Sequence, residues 1–180
     1  RVMKYRKDIV MENLRIAFPE KSLEERKRIA GEFYLNFTDT FIELLKMTSM
    51  SKRQIIKRSL CDFELLNKLI EKGKNVHVLV GHQFNWEFAN LAYAMYLKIP
   101  FVGIYMPVNN QVFDRIFYKV RSRYGTIMIS AKEFKVKMHK VFLKQYMLGL
   151  AADQNPGYPA TSYWLNFFGR PSPFVVGRAK

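Results

Sequence analysis

The chain has only one cysteine, Cys61, among its 180 residues. A lone cysteine excludes an internal disulfide and is compatible with a reducing compartment. We interpret Cys61 as a small buried apolar residue. The sequence also contains no run of 18 or more apolar residues, which excludes a bilayer-spanning segment within these residues.

Several ligand-binding patterns are missing as well. The sequence has neither a Walker-type phosphate loop nor a GxGxxG glycine loop, which excludes the common nucleotide-binding motifs. No cysteines and histidines are clustered at zinc-ligand spacing. We therefore expect no cofactor and no metal site.

Acidic residues are scarce, with 15 Asp and Glu against 30 Lys and Arg, giving a formal net charge of +15. Such a charge attracts nucleic acid, an anionic membrane or an acidic carrier protein. A nucleic-acid-binding module interleaves aromatic and basic residues on an exposed strand. The aromatic residues here lie in helical stripes instead, so the sequence argues against nucleic acid.

The hydrophobic pattern predicts an α/β fold with a helical N-terminal third. Capping boxes at Ser22/Glu25 and Ser51/Gln54 each predict a helix start. From Asn75 onward strands and helices alternate, which is typical of a mostly parallel sheet flanked by helices. The strands are predicted at 76–80, 101–105, 126–129, 147–152 and 163–168, and the helices of the chain at 8–17, 63–71, 85–97, 111–124 and 133–144. We expect a single domain spanning residues 1–180.

The strongest candidate for chemistry is the segment Gly81 to Glu87, which reads GHQFNWE. His82 follows the first predicted strand, and Glu87 lies in the first turn of the next helix. The carboxylate can then hold one imidazole nitrogen while the other faces a substrate. Asp153 likewise follows a predicted strand, and in open α/β sheets sites lie at this edge. The alternative interpretation is a helix-capping turn without catalysis, because acidic residues are favoured in a first helical turn.

The motifs along the chain resemble those of the lipid A biosynthesis lauroyl/myristoyl acyltransferases of Gram-negative bacteria. The segment GHQFNWE is similar to that family's GHxGNWE block, although Gln83 and Phe84 depart from it. Four more blocks follow in the family's order, namely Tyr105-Met106-Pro107 with Asn109, Asn110 and Asp114; Arg121 to Gly125; Ala152 to Gly157; and Phe167 to Pro171 with Gly177. The resemblance implies a fold like that of the glycerol-3-phosphate acyltransferases.

The resemblance also implies transfer of an acyl chain from an acyl-carrier-protein (or CoA) thioester to a hydroxyl of a lipid A precursor. It places the reaction at the cytoplasmic face of the bacterial inner membrane. We expect the chain to be a fragment of a longer family member. The parts expected to be missing are the family's N-terminal membrane anchor and its C-terminal part. No nucleic-acid partner is expected.

Roles for individual residues follow from the same reasoning. We predict His82 as the general base and Glu87 as the residue that orients it. The predicted substrate-binding residues are Arg121, Arg123, Asp153 and Asn85. At most one of Arg121 and Arg123 is expected to point into a site, with Arg121 preferred, because residues two apart on a helix do not share a face.

Three interpretations remain open at this stage. Asp153 either forms an Asx turn or positions Arg121 or His82. The lysine-rich helix 133–144, with its stripe Phe134, Met138, Val141 and Phe142, is either a solvated face or a surface for acidic lipids or an acidic carrier. The acceptor is either a lipid A precursor or another lipid, such as a glycerophospholipid or aminolipid. A catalytically silent lipid- or carrier-binding protein on the same fold is the non-enzymatic alternative. His77 is predicted to be a core residue.

Overall fold

The N-terminal part of the chain consists of α-helices, as the sequence predicts. The computed structural model describes residues 5–59, 61–82, 85–141, 143–151 and 153–175. Its first helices are α1 (Lys7–Ala17), α2 (Leu23–Met47), α3 (Lys52–Ile56) and α4 (Phe63–Glu71). Both predicted capping boxes are confirmed. The Ser22 amide donates to Glu25 over 2.8 Å, and the Ser51 amide donates to Gln54 over 2.8 Å.

A four-stranded parallel sheet follows and confirms the predicted α/β class. Its strands are β1 (Val76–Val80), β2 (Phe101–Tyr105), β3 (Ile127–Ser130) and β4 (Met147–Ala151), in the order β1-β4-β2-β3. The connecting helices are α5 (Trp86–Tyr96), α6 (Gln111–Ser122) and α7 (Phe134–Val141). Because the strands are parallel, their carboxyl ends meet at one edge of the sheet.

Two apolar clusters hold these layers together. The first joins helices α2, α3, α5 and α6 through Leu44, Met47, Ile55, Phe88, Leu91 and Val120. The second joins the sheet to α7 through Val102, Ile129, Met138, Tyr146, Leu148 and Leu150. The first cluster fixes α5 and α6, which carry Glu87 and Arg121. The second buries the apolar side of α7.

The last strands form a separate antiparallel hairpin, β5 (Tyr163–Phe167) and β6 (Arg170–Phe174). The prediction of a fifth strand at 163–168 is therefore correct for the element, but it is wrong to count it in the parallel sheet. Phe168 and Gly169 make the tight turn, with φ of 50° and 73°. The sequence did not reveal β6, because Pro171 and Pro173 argue against a strand and are tolerated only at a sheet edge.

Two smaller predictions are corrected by the structure. Cys61 is exposed rather than buried. His77 lies on the exposed side of the edge strand β1, where its Nε2 is 3.5 Å from the Tyr146 hydroxyl, so it is not a core residue. Among the residues that the structure describes, no helix is both long and apolar enough to cross a membrane.

Candidate active site

The register of the sheet brings His82 and Asp153 together. Strand β1 pairs with β4 in parallel, and Val80 is aligned with Ala151 at the carboxyl ends. His82 and Asp153 each lie two residues beyond this last pair. Two residues that leave neighbouring parallel strands at the same level come close in space. The strand order therefore places an imidazole and a carboxylate at the sheet edge where sites of open α/β folds lie.

His82 is held by Asp153 through two hydrogen bonds. The His82 Nδ1 lies 2.8 Å from Asp153 Oδ1, and the His82 backbone N–H donates to Asp153 Oδ2 over 2.5 Å. Burial raises the pKa of the Asp153 carboxyl, but its hydrogen bonds from the His82 side chain and backbone lower it, and the net effect is a lowered pKa. The carboxylate is thus ionised near neutral pH and can only accept hydrogen bonds. It follows that Nδ1 carries the proton of the neutral imidazole.

The second imidazole nitrogen of His82, Nε2, is available to accept a proton. With Nδ1 protonated, Nε2 of the neutral ring has a free lone pair. No described residue hydrogen-bonds to Nε2, and the His82 side chain is 28% exposed. The Trp86 ring packs edge-on against the imidazole, with ring centroids 4.6 Å apart and planes 74° apart. The arrangement is suited to general-base chemistry at Nε2.

Glu87 makes a different ion pair from the one that the sequence predicted. Its carboxylate receives Nε of Arg121 at 3.0 Å on both oxygens and Nη2 at 2.5 Å. The Glu87 side chain is only 4% exposed and that of Arg121 20%. In the described structure Glu87 bonds to Arg121 and not to His82, so the expected Glu87–His82 contact is corrected. Asp153 occupies the place beside the imidazole that was assigned to Glu87.

Arg121 is also fixed by its neighbours along α5 and α6. The Asn90 side-chain amide donates to the Arg121 carbonyl oxygen over 2.9 Å. The guanidinium carbon lies 5.2 Å from the centroid of the Phe117 ring, within range of a cation–π interaction. These contacts, with the Glu87 pair, anchor the first half of α5 to the last turn of α6.

Asn85 stands at the N-terminus of α5. Its Oδ1 accepts a hydrogen bond from the Glu87 amide at 3.1 Å, which makes it the helix N-cap. Its Nδ2 donates to the Glu43 carboxylate in α2. The side chain of Asn85 is thus used to set the helix start that carries Glu87, and substrate binding by Asn85 stays a prediction.

Arg123 contacts the N-terminal helices instead of the strand ends. Its Nη1 donates to the Met47 carbonyl oxygen over 2.7 Å, at the end of α2. Its guanidinium also lies 5.3 Å from the Tyr124 ring centroid. This agrees with the expectation that Arg121 and Arg123 point in different directions. Of the two, only Arg121 is joined to the segment that carries the candidate histidine.

A cleft of about 320 Å³ opens beside Asp153. One wall is the loop after β4, with Gln154 and Asn155, and the other is the β5–β6 hairpin, with Phe167 and Phe174. Those two rings contact each other edge-on, with centroids 5.8 Å apart. The cleft therefore joins a polar wall and an apolar wall next to the His82–Asp153 pair.

Some features of the site were not predicted from the sequence. Glu43 and Asn90 lie in helical stripes that contain no motif. Phe167 and Phe174 come together at the cleft through the pairing of β5 with β6, which the sequence did not reveal. Gln83 and Phe84, which depart from the family pattern, lie outside the described residues, as does the predicted family position Gly177. Within the described parts of the chain, no group of three or more His, Cys, Asp or Glu side chains is arranged to hold a metal ion.

A protein-family model matches the chain over its full length. The model of the family described as bacterial lipid A biosynthesis acyltransferase matches residues 1–180, the whole of the chain. No individual curated protein matches the sequence. The matched range includes every residue of the site described above.

Proposed function

The chain belongs to the bacterial lipid A biosynthesis acyltransferase family, and we propose that it moves an acyl chain from an acyl-carrier-protein thioester to a hydroxyl of a lipid A precursor. The family implies acyltransferase activity in lipid A biosynthesis. The carrier-protein donor, the residue roles and the location at the cytoplasmic face of the inner membrane are our proposals. The observation that carries the mechanism is the 2.8 Å contact between His82 Nδ1 and Asp153 Oδ1.

His82 acts as the general base in this mechanism. Its Nε2 takes the proton of the acceptor hydroxyl while the hydroxyl oxygen attacks the thioester carbonyl carbon. The new carbon–oxygen bond gives a tetrahedral intermediate. The carbon–sulfur bond then breaks, and the imidazolium returns the proton to the departing thiolate. The products are the acyl ester and the free thiol of the carrier.

Asp153 orients the base. Its carboxylate accepts the Nδ1–H bond, keeps the ring in the tautomer with a free Nε2, and stabilises the imidazolium that forms during attack. The bond from the His82 backbone N–H to the same carboxylate fixes the loop as well as the ring. The sequence predicts this role for Glu87 instead.

Glu87 and Arg121 act as a positioning pair in this account. Glu87 holds the guanidinium through Nε and Nη2, and among the described residues Nη1 of Arg121 has no hydrogen-bond acceptor. Arg121 can then offer Nη1 to a phosphate of the acceptor while it stays anchored. The Glu87–Arg121 pair would thus hold α5 in place and also bind the anionic headgroup of the acceptor.

The test is acyl transfer by the full-length protein, with acyl-carrier-protein as donor and lipid A precursors or glycerophospholipids as acceptors. His82→Ala should lower kcat by about 10²- to 10⁴-fold, the usual contribution of a general base. His77→Ala is the matched control, since His77 lies on β1 outside the proposed chemistry, and it should transfer like the wild type. Equal loss in both variants would contradict the role of His82. Transfer only to glycerophospholipids would show that the acceptor is a glycerophospholipid and not a lipid A precursor.

A further inference from the structure

Helix α7 has one buried side and one exposed side. Met138 is fully buried against the sheet, and Phe134 and Val141 pack on the same cluster. The opposite side is exposed to solvent. The exposed residues of α7 and of the turns on either side of it form what we name the α7 face, defined by Lys132, Lys135, Val136, Lys140, Leu143 and Lys144.

The α7 face combines free positive charge with two prominent apolar side chains. Lys137 is paired with Glu133 at 2.9 Å, but none of the four lysines of the α7 face is paired with a carboxylate in the described part of the chain. Val136 is 75% exposed and Leu143 84% exposed. Four unpaired lysines around two apolar side chains match a partner with an acidic surface and a small apolar contact.

We propose that the α7 face is the docking surface for an acidic acyl carrier protein. The proposal rests on the acyl-carrier-protein donor of the proposed function. Helix insertion into a membrane needs a broad apolar face. Of the apolar stripe of α7, which the sequence left open as a membrane contact, Phe134, Met138 and Val141 pack against the sheet instead, and Phe142 lies outside the described residues. Among the described residues the exposed side retains the charges and two large apolar side chains, which fits a folded acidic protein better than a bilayer.

The position of α7 in the fold also suits delivery of a thioester. The chain passes from the carboxyl end of β3, through a 3-10 turn at Ala131–Glu133, into α7. The first turn of α7 therefore lies at the same sheet edge as His82 and Asp153. A carrier bound along the α7 face can extend its prosthetic arm across that edge, over β2 and β4, towards the imidazole.

The first experiment measures binding of the carrier protein without its acyl chain, so that it does not depend on catalysis. The full-length wild type is compared with Lys135→Glu/Lys140→Glu. The matched control is Lys72→Glu/Lys74→Glu, which makes the same change in net charge at exposed positions before β1, the far edge strand. Calorimetry should show carrier affinity about tenfold weaker for the α7 variant and nearly unchanged for the control, because remote surface charges are screened.

The second experiment uses two donors. With acyl-carrier-protein the α7 variant should have a raised KM and an unchanged kcat, whereas with acyl-pantetheine, which lacks the protein, both constants should match the wild type. Equal carrier affinity in the α7 and control variants would overturn the proposal. Selective loss of binding to phosphatidylglycerol vesicles, with carrier affinity kept, would overturn it in favour of a membrane surface. If no donor supports transfer, the proposed function fails, and the binding comparison still decides the docking surface.

Discussion

Replacement of Glu87 by Gln tests whether this residue acts in stability or in catalysis. The substitution keeps the size of the side chain but removes its charge and turns one acceptor oxygen into a donor facing Nε and Nη2 of Arg121. The Glu87 side chain is 4% exposed, so the loss is that of a buried partner. Breaking a buried pair from one side costs about 3–5 kcal/mol, and the partial exposure of Arg121 (20%) places the cost near 3 kcal/mol.

Thermal unfolding followed by circular dichroism measures this cost. For a domain of this size, about 3 kcal/mol corresponds to a fall in Tm of about 6–12 °C. Glu12→Gln is the matched control, because Glu12 is likewise paired with arginine, in its case Arg15 and Arg170, but on the exposed surface. It should leave Tm nearly unchanged. A Glu87→Gln protein with the wild-type Tm and a kcat reduced more than about 10²-fold would refute our reasoning and restore Glu87 as the residue that orients His82.

Three further predictions concern the surroundings of the site. Because the pKa of Asp153 is lowered, its ionised carboxylate stabilises the fold at pH values above the ordinary pKa of 3.8. The Tm difference between wild type and Asp153→Asn should therefore be constant near neutrality and shrink below about pH 4. Asn85→Ala removes the N-cap of α5 and should cost about 1 kcal/mol in urea unfolding. Gly149→Ala places a Cβ 2.8 Å from the Phe101 ring and should cost about 1–3 kcal/mol, more than Gly103→Ala, whose nearest atom is the flexible Met128 sulfur at 3.2 Å.

The sequence predicted most of the regular elements because their signals are local. Ser22/Glu25 and Ser51/Gln54 set helix starts through contacts within four residues, and the strands of the sheet were predicted to within one residue at their described ends. The separate hairpin was not predicted, because Pro171 and Pro173 conceal the pairing of β6 with β5. That pairing depends on tertiary context, which local propensity does not contain.

The sequence selected His82, Asp153, Glu87 and Arg121 as candidates, but it did not show which of them pair. Strand-end positions point to His82 and Asp153, whereas the spacing between His82 and Glu87 predicts a contact that the structure replaces with the Glu87–Arg121 pair. Which carboxylate reaches the imidazole depends on the strand order, and β4 lies beside β1 only because the chain crosses over after β3. Likewise, Arg121 reaches Glu87 through the packing of α5 on α6, a contact between residues 34 positions apart.

The most direct test of the account is the kcat of Asp153→Asn with acyl-carrier-protein as donor and a lipid A precursor as acceptor. Asp39→Asn, the same change on an exposed position of α2, serves as the control. The account predicts a fall in kcat of about 10²- to 10⁴-fold for Asp153→Asn in protein that remains folded at the assay temperature, because the imidazole loses the partner that fixes its tautomer. A kcat equal to that of Asp39→Asn would contradict the claim that Asp153 orients His82.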